Sequence, residues 1–240
     1  METLREPTVG ELAARDYRKV EVFKKYGVDF CCGGKKSIAN VCKEKGINQE
    51  QLEKELHIAE TATELPSQNF SAWELDFLSE YIVNTHHKYV IQSMPLIFEF
   101  TQKISKVHSV QHPEVIEVAA IFVKVIDDLN QHMLKEENIL FPYIKQLSES
   151  KKSGKAVAPT FGTVKNPIRM MEHEHDVVGE LLGKIREVTG NYSIPADACN
   201  SFRYAYEKLQ EFEEDLHQHI HLENNILFPK AIQLEEELIQ

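Results

Sequence analysis

Basic side chains are in short supply: 27 Lys and Arg stand against 38 Asp and Glu in 240 residues, a formal charge of −11 with a pI of about 5.5. A chain this acidic lacks the cationic surface that neutralises nucleic-acid phosphate or an anionic bilayer, so neither is an expected partner. No apolar run reaches the roughly 18 residues that suggest a membrane span. The opening METLREPTVGEL also lacks the charged-then-apolar pattern of a secretory signal, and a cytoplasmic protein is expected. Only four cysteines are present, too few for a disulfide framework, and a reducing compartment keeps them as thiols. No segment alternates polar and apolar residues as a half-buried strand does. What the chain does have is a 42% hydrophobic content, enough for one sizeable core with a small second domain, and 11 histidines.

Apolar residues recur at steps of three and four, so an all-α fold is expected. Residues 1–62 read as a small helical domain: a helix over 8–26 stopped by Gly27, the loop Asp29-Phe30-Cys31-Cys32-Gly33-Gly34, then two short helices capped by Ser37 and Asn48. Thr61 to Ser71, with Pro66, reads as a linker. Four long amphipathic segments follow, near 71–105, 113–147, 166–189 and 197–236, the element list of an up-down four-helix bundle over 71–240. The connection 148–166 is long for a compact domain and reads as a lid, a crossover or local disorder.

The segment His132-Met-Leu-Lys-Glu136-Glu-Asn138-Ile139-Leu140-Phe141-Pro142 recurs 87 residues later as His219-Ile-His-Leu-Glu223-Asn-Asn225-Ile226-Leu227-Phe228-Pro229, with seven of eleven positions identical. In each copy His and Glu are four apart, so on a helix both leave the same face one turn apart and can reach a common ion. A solvated charge pair is the plain alternative, and periodicity argues against it. The stripe Phe202, Ala205, Leu209, Phe212, Leu216, His219, Glu223, Ile226 contains both polar residues, as does Val115, Val118, Phe122, Val125, Leu129, His132, Glu136, Ile139. A core-facing carboxylate costs several kcal/mol unless it is paired or bound to metal, and no Lys or Arg shares either stripe.

The third segment places His175 in the stripe Ile168, Met171, His175, Val178, Leu182, Ile185, with His173 off it. In the first segment His86 continues Leu75, Leu78 and Ile82, whereas His87 joins Val83, Val90, Ile91 and Met94, and periodicity leaves the choice open. Spacing leans to His87: it precedes His132 by 45 residues, and His175 precedes His219 by 44. His217 and His221 fall beside Glu213, Glu214 and Asn224 on a face expected to be solvated. Four histidines and two glutamates exceed one tetrahedral zinc site, and oxygen-seeking calcium or magnesium would not use so much imidazole. Two transition ions sharing two carboxylates fit the count, and imidazole with carboxylate suits iron or manganese. Two carboxylates leave a pair of divalent ions net positive, which favours the reduced or mixed-valence state over strong oxidase chemistry.

The paired HxxxE pattern resembles the hemerythrin-like domain, and Asp29-Phe30-Cys31-Cys32-Gly33-Gly34-Lys35 resembles the N-terminal cysteine-pair domain of the repair-of-iron-centres di-iron proteins; together the two cover essentially the whole chain. Pro95, Met171-Glu172-x-Glu174-His175-Asp176 and Leu222-Glu223-Asn224-Asn225 belong to the same resemblance. It implies a stress-induced cytoplasmic protein, a homodimer in many members, that restores damaged iron–sulfur proteins. Iron donation and nitric oxide reduction both remain open, and with them the question of an enzymatic activity. An oxygen or nitric oxide sensor or carrier of the hemerythrin type is the alternative. The implied cofactor is two non-haem iron ions, oxo- and carboxylate-bridged, held by His87, His132, Glu136, His175, His219 and Glu223, with Glu136 and Glu223 bridging.

His108 matches a further family histidine and is a seventh ligand by resemblance, although periodicity does not support it and His112 competes nearby. Cys31 and Cys32 have two readings. A loop pair without a role is one. The other is a pair of reactive thiols, activated by a following helix N-terminus and by Lys35 and Lys36, that handles iron, nitric oxide or a client cluster. Cys42 is a third thiol on that reading, and Cys199 is structural.

Overall fold

The computed structural model describes residues 6–61, 69–154 and 161–239. Four short helices open the chain: α1 (Val9–Arg15), α2 (Lys19–Lys25), α3 (Ile38–Lys45) and α4 (Gln49–Thr61). The expected single helix over 8–26 is two. α1 begins at a capping box, in which Thr8 accepts from the Glu11 N–H and Glu11 accepts from the Thr8 N–H. It ends at Asp16, whose backbone is extended and whose carboxylate accepts bonds from the Arg18 N–H and guanidinium. Gly27, at φ +62°, follows α2, and Ser37 and Asn48 accept the capping bonds ahead of α3 and α4. Val20, Phe23, Phe30, Val41 and Leu52 are at the centre of a core for this region.

Four long rods make the rest. The first is α5 (Leu75–Ile82), a π turn at Val83–His87 and α6 (Lys88–His108); the second is α7 (Glu114–Lys135), a π turn at Glu136–Leu140 and α8 (Phe141–Ser153). The third, α9 (Lys165–Val188), is unbroken. The fourth is α10 (Asn200–Leu222), a π turn at Glu223–Leu227 and α11 (Phe228–Ile239). α5 packs on α8 while α6 packs on α7, α7 packs on α9 and α10 packs on α6, so sequential rods run antiparallel as an up-down bundle, and α8 meets α11 between the two parallel rods that end in them. Helix α8 runs on to Ser153 and stops at left-handed Gly154, so the expected connection begins six residues later than its sequence reading. Its residues 155–160, and 62–68 of the expected linker, lie outside the described residues.

Each π turn takes five residues where a stripe ordinarily advances by three or four. In the first rod the buried face therefore passes from Ile82 to His87 and then resumes at Val90, Met94 and Ile97, with His86 buried as well. In the second rod the turn carries Ile139 outward to 51% exposure and continues the buried face through Leu140, Phe141 and Ile144. Ile91, assigned to the inner stripe by sequence, is likewise half exposed. Two apolar clusters fill the bundle. One includes Val90, Val125, Phe122, Leu182 and Leu216, and the other Ile82, Phe141, Met171, Leu227 and Phe228. Along the rods His87, His132, Glu136, His175, His219 and Glu223 lie between these two clusters.

Candidate metal centre

The repeat places His132 and His219 in the last turns of α7 and α10, with Glu136 and Glu223 opening the π turns that follow. His87 closes the π turn of the first rod, and His175 sits mid-way along α9. Their ligand atoms converge in two groups, His87, His219, Glu136, Glu223 and His132, His175, Glu136, Glu223, each within 4.8 Å, and all six side chains are buried. The Nε2 atoms of His87 and His219 are 3.1 Å apart, and those of His132 and His175 are 3.0 Å apart. Glu136 Oε2 stands 3.3 Å from both His87 Nε2 and His132 Nε2. Glu223 approaches His219 with Oε1 at 3.1 Å and His175 with Oε2 at 3.2 Å. Each carboxylate thus faces both half-cages.

The outer nitrogens of three rings are committed. His87 Nδ1 is 2.7 Å from Glu137, His132 Nδ1 is 3.0 Å from Glu174, and His175 Nδ1 is 2.9 Å from Asn224 Oδ1. An Nδ1–H donated to these oxygens leaves the Nε2 lone pair aimed into the cage, the tautomer a metal requires. Lys135 in turn pairs with Glu174. His219 Nδ1 has no partner among the described residues; the His86 ring, at the position related by the pseudo-twofold to Glu174, stacks on the His219 ring at 5.6 Å and hydrogen-bonds Asp215 at 3.0 Å. Sequence reasoning missed these supporting residues. The available signal was the polar residue that follows the glutamate in each copy of the repeat, Glu137 and Asn224.

Both Glu136 oxygens and Glu223 Oε2 are buried without a hydrogen-bond donor among the described residues. Orphaned buried carboxylate oxygens, facing pairs of imidazole lone pairs, are the donor set of a cation site, so the residues fit a metal pair. The electrostatics agree. Burial alone would lower the imidazolium pKa, but Glu136 and Glu223 outweigh it and raise His87 to about 10, and His132 is raised likewise to about 10. Burial and its twin carboxylate push Glu136 up, yet the surrounding imidazoles hold it below its usual range.

Three expectations are corrected. His108 ends α6, 21 residues and roughly 31 Å beyond His87 at about 1.5 Å per residue, where its Nε2 meets Cys199 Sγ at 3.1 Å, so it is not brought to the cage. Its competitor His112 pairs with Asp197 and Glu114. His221 is fully buried and His217 partly so, because the N-terminal helices cover the face expected to be solvated. Phe30 meets the His221 and His217 rings edge-on at 5.5 and 6.3 Å, and Asn225 donates to the Phe30 carbonyl at 3.1 Å. Burial lowers both histidines to about 4.

The third correction concerns the cysteines. The helix after the pair begins only at Ile38, beyond a glycine-bearing turn, and Lys35 and Lys36 pair with Glu172 and Glu44. The Cys31 thiol is pushed well above its usual value by its hydrogen bond with the Cys32 thiol, by burial and by Asp29, the opposite of the expected activation. Cys32 Sγ lies 3.7 Å from the His175 carbonyl oxygen, which puts the pair beside the cage. Cys42 is buried in the N-terminal core, and Cys199 is exposed at the start of α10.

Fold and site together define a helical-bundle protein with a buried cage of four histidines and two glutamates whose donor atoms suit a metal cation. Residues 79–231 match the family described as hemerythrin HHE cation binding domain, and residues 5–60 match ScdA_N, a domain of unknown function (DUF542). The chain is 38% identical over 229 residues to the iron-sulfur cluster repair protein YtfE of Musicola paradisiaca (strain Ech703), covering 95% of this chain and 97% of that relative. It is 33% identical over 228 residues to the proteins of the same name from Yersinia pestis (strain Pestoides F) and Yersinia pseudotuberculosis serotype O:1b (strain IP 31758), with the same coverage. The chain belongs to the hemerythrin HHE cation-binding family.

Proposed function

We propose that this protein repairs iron–sulfur clusters damaged by nitrosative or oxidative stress, in the cytoplasm, and that its cage holds two non-haem iron ions, one in each half-cage. The observation that carries the reading is the donor set: four inward imidazoles and only two carboxylates, each facing both half-cages. The names of the relatives, iron-sulfur cluster repair proteins matched over nearly their whole length, support the same reading. Bound ferrous ions would supply iron for a damaged cluster and electrons for a small oxidant such as nitric oxide or oxygen.

The chain's own residues set the terms of that chemistry. Glu137, Glu174 and Asn224 hold the proton on Nδ1 and orient three of the four rings. Two carboxylate charges against two divalent cations leave the centre electron-poor and its iron loosely neutralised, which favours release to a client over storage. The apolar clusters on either side keep water from competing for the ligands.

The test is to incubate the anaerobically reduced protein with the apo form of an iron–sulfur protein, following iron transfer, and separately with nitric oxide, following its consumption. Iron reaching the client, or nitric oxide consumed, supports the reading. A centre that does neither overturns it, and reversible oxygen binding without iron loss would replace it with a hemerythrin-type carrier or sensor.

A further inference from the structure

Beyond the cage, one other group of metal-binding side chains converges among the described residues. The Asp29 carboxylate and the Cys31 and Cys32 thiols present ligand atoms within 4.8 Å of one another. We propose that these three residues form a second metal site, for a thiophilic divalent cation such as ferrous iron, zinc or cobalt, separate from the cage and open on one side. The site stands whatever metal the bundle holds.

The turn is built around the carboxylate. Asp29 Oδ1 accepts from the Cys31 N–H at 2.9 Å and from its thiol at 3.1 Å, while Oδ2 accepts from the Gly33 N–H at 2.9 Å. A Cβ at Gly33 would stand 3.1 Å from Asp29 Oδ2, and one at Gly34 would stand 2.7 Å from the Phe30 carbonyl oxygen, so the glycines let the turn close over the acid. Two sulfurs and one oxygen, three negative charges once the thiols ionise, are a donor set that suits a soft or borderline divalent cation, which offsets two of those charges.

Among the described residues no fourth ligand joins the three. Asp29, Cys31 and Cys32 line a cleft of about 610 Å³ between the N-terminal helices and the α9–α10 face, with His217, Lys24 and Arg186 also on its walls. Three protein ligands with an open position are the pattern of a site that exchanges its ion or a fourth ligand, whereas a closed four-ligand site is structural. A cysteine thiolate of a client protein is the chemistry that suits this position. The Cys32 thiol donates to the carbonyl oxygen of His175, a cage residue, so an ion at the pair would adjoin the helix that carries one wall of the cage. Binding changes no oxidation state. Each ion replaces the two thiol protons, which leave to solvent, and affinity therefore rises with pH.

Cobalt(II) reports thiolate ligation through its sulfur-to-metal charge-transfer absorption. Titrated anaerobically into the full-length protein with its cage already loaded with iron, cobalt is expected to bind at one ion per chain and give that band. Cys32→Ser, which leaves Cys31 as the one thiolate, should remove at least about half of the band, Asp29→Asn should weaken binding by at least about tenfold, in line with the sensitivity of metal sites to lost ligand-shell groups, and Cys199→Ser should change nothing. No thiolate band, a band undiminished in Cys32→Ser or lost in Cys199→Ser, or an unchanged affinity in Asp29→Asn overturns the site. Should Cys32→Ser fail to fold, the Asp29→Asn titration still decides. Iron content of the cage, measured on the same samples, reports on the repair function separately.

Discussion

The Nε2 atoms of His132 and His175 face each other at 3.0 Å while the Nδ1 atom of each ring is bonded elsewhere, to Glu174 and to Asn224. His87 and His219 repeat the inner contact at 3.1 Å. Two ring nitrogens this close need a positive charge between them, a proton or a metal ion. The buried Glu136 and Glu223 make the same demand.

Because each glutamate faces both half-cages and each histidine only one, their substitutions should separate. Glu223→Leu is expected to lower metal content from two ions per chain to below one, whereas His219→Leu should leave about one. Elemental analysis of the purified variants checks this, and two ions per chain in either would refute the ligand assignment.

Residues that orient the rings should matter without touching metal. Glu174→Ala and Glu137→Ala are each expected to weaken metal binding by about 10- to 100-fold. Asn138→Ala is the control, since Asn138 is exposed and its amide donates only to the Leu134 carbonyl. Competition with a chelator of known affinity measures all three.

Removing the metal should loosen the bundle, because two buried carboxylates are then balanced only by buried imidazoles that must take up protons between the two apolar clusters. At free metal of 100 to 1,000 times Kd, binding contributes about 2.7 to 4.1 kcal/mol to stability. Chelation is therefore expected to lower Tm by several degrees. An unchanged Tm would show that the cage stands without an ion.

Glu213 supplies a pH dependence of known sign. Burial pushes its carboxyl up, and the neighbouring Arg186 and the Tyr192 hydroxyl, which donates to it at 3.0 Å, offset that only in part. The folded state thus holds this proton more tightly than the unfolded chain, so the group costs stability as pH rises above the ordinary glutamate value of 4.5 and ceases to do so below it. Glu213→Gln keeps an acceptor for Tyr192 and removes the charge. Its Tm should exceed the parent's at neutral pH, with the gain shrinking as pH falls through 4.5.

Much of the cage was legible because helical periodicity exposes polar residues that sit where apolar ones belong. His132, Glu136, His175, His219 and Glu223 interrupt runs of Val, Leu and Phe, and every one of them is buried. The ambiguity between His86 and His87 has a structural cause: the π turn at Val83–His87 advances the face by an extra residue, and nothing local in the sequence announces it. The burial of His221 was not legible either, since it depends on Phe30 and Tyr17 arriving from far away in the chain. His108 entered by resemblance alone, and helix length removes it from the site.

The most direct test of the central claim is metal quantification with Mössbauer spectroscopy on protein purified without oxygen. Two irons per chain, with the spectrum of a coupled pair in imidazole and carboxylate surroundings, is the predicted result. Less than one metal per chain, or iron with the spectrum of isolated ions, would contradict a cage built from His87, His132, Glu136, His175, His219 and Glu223.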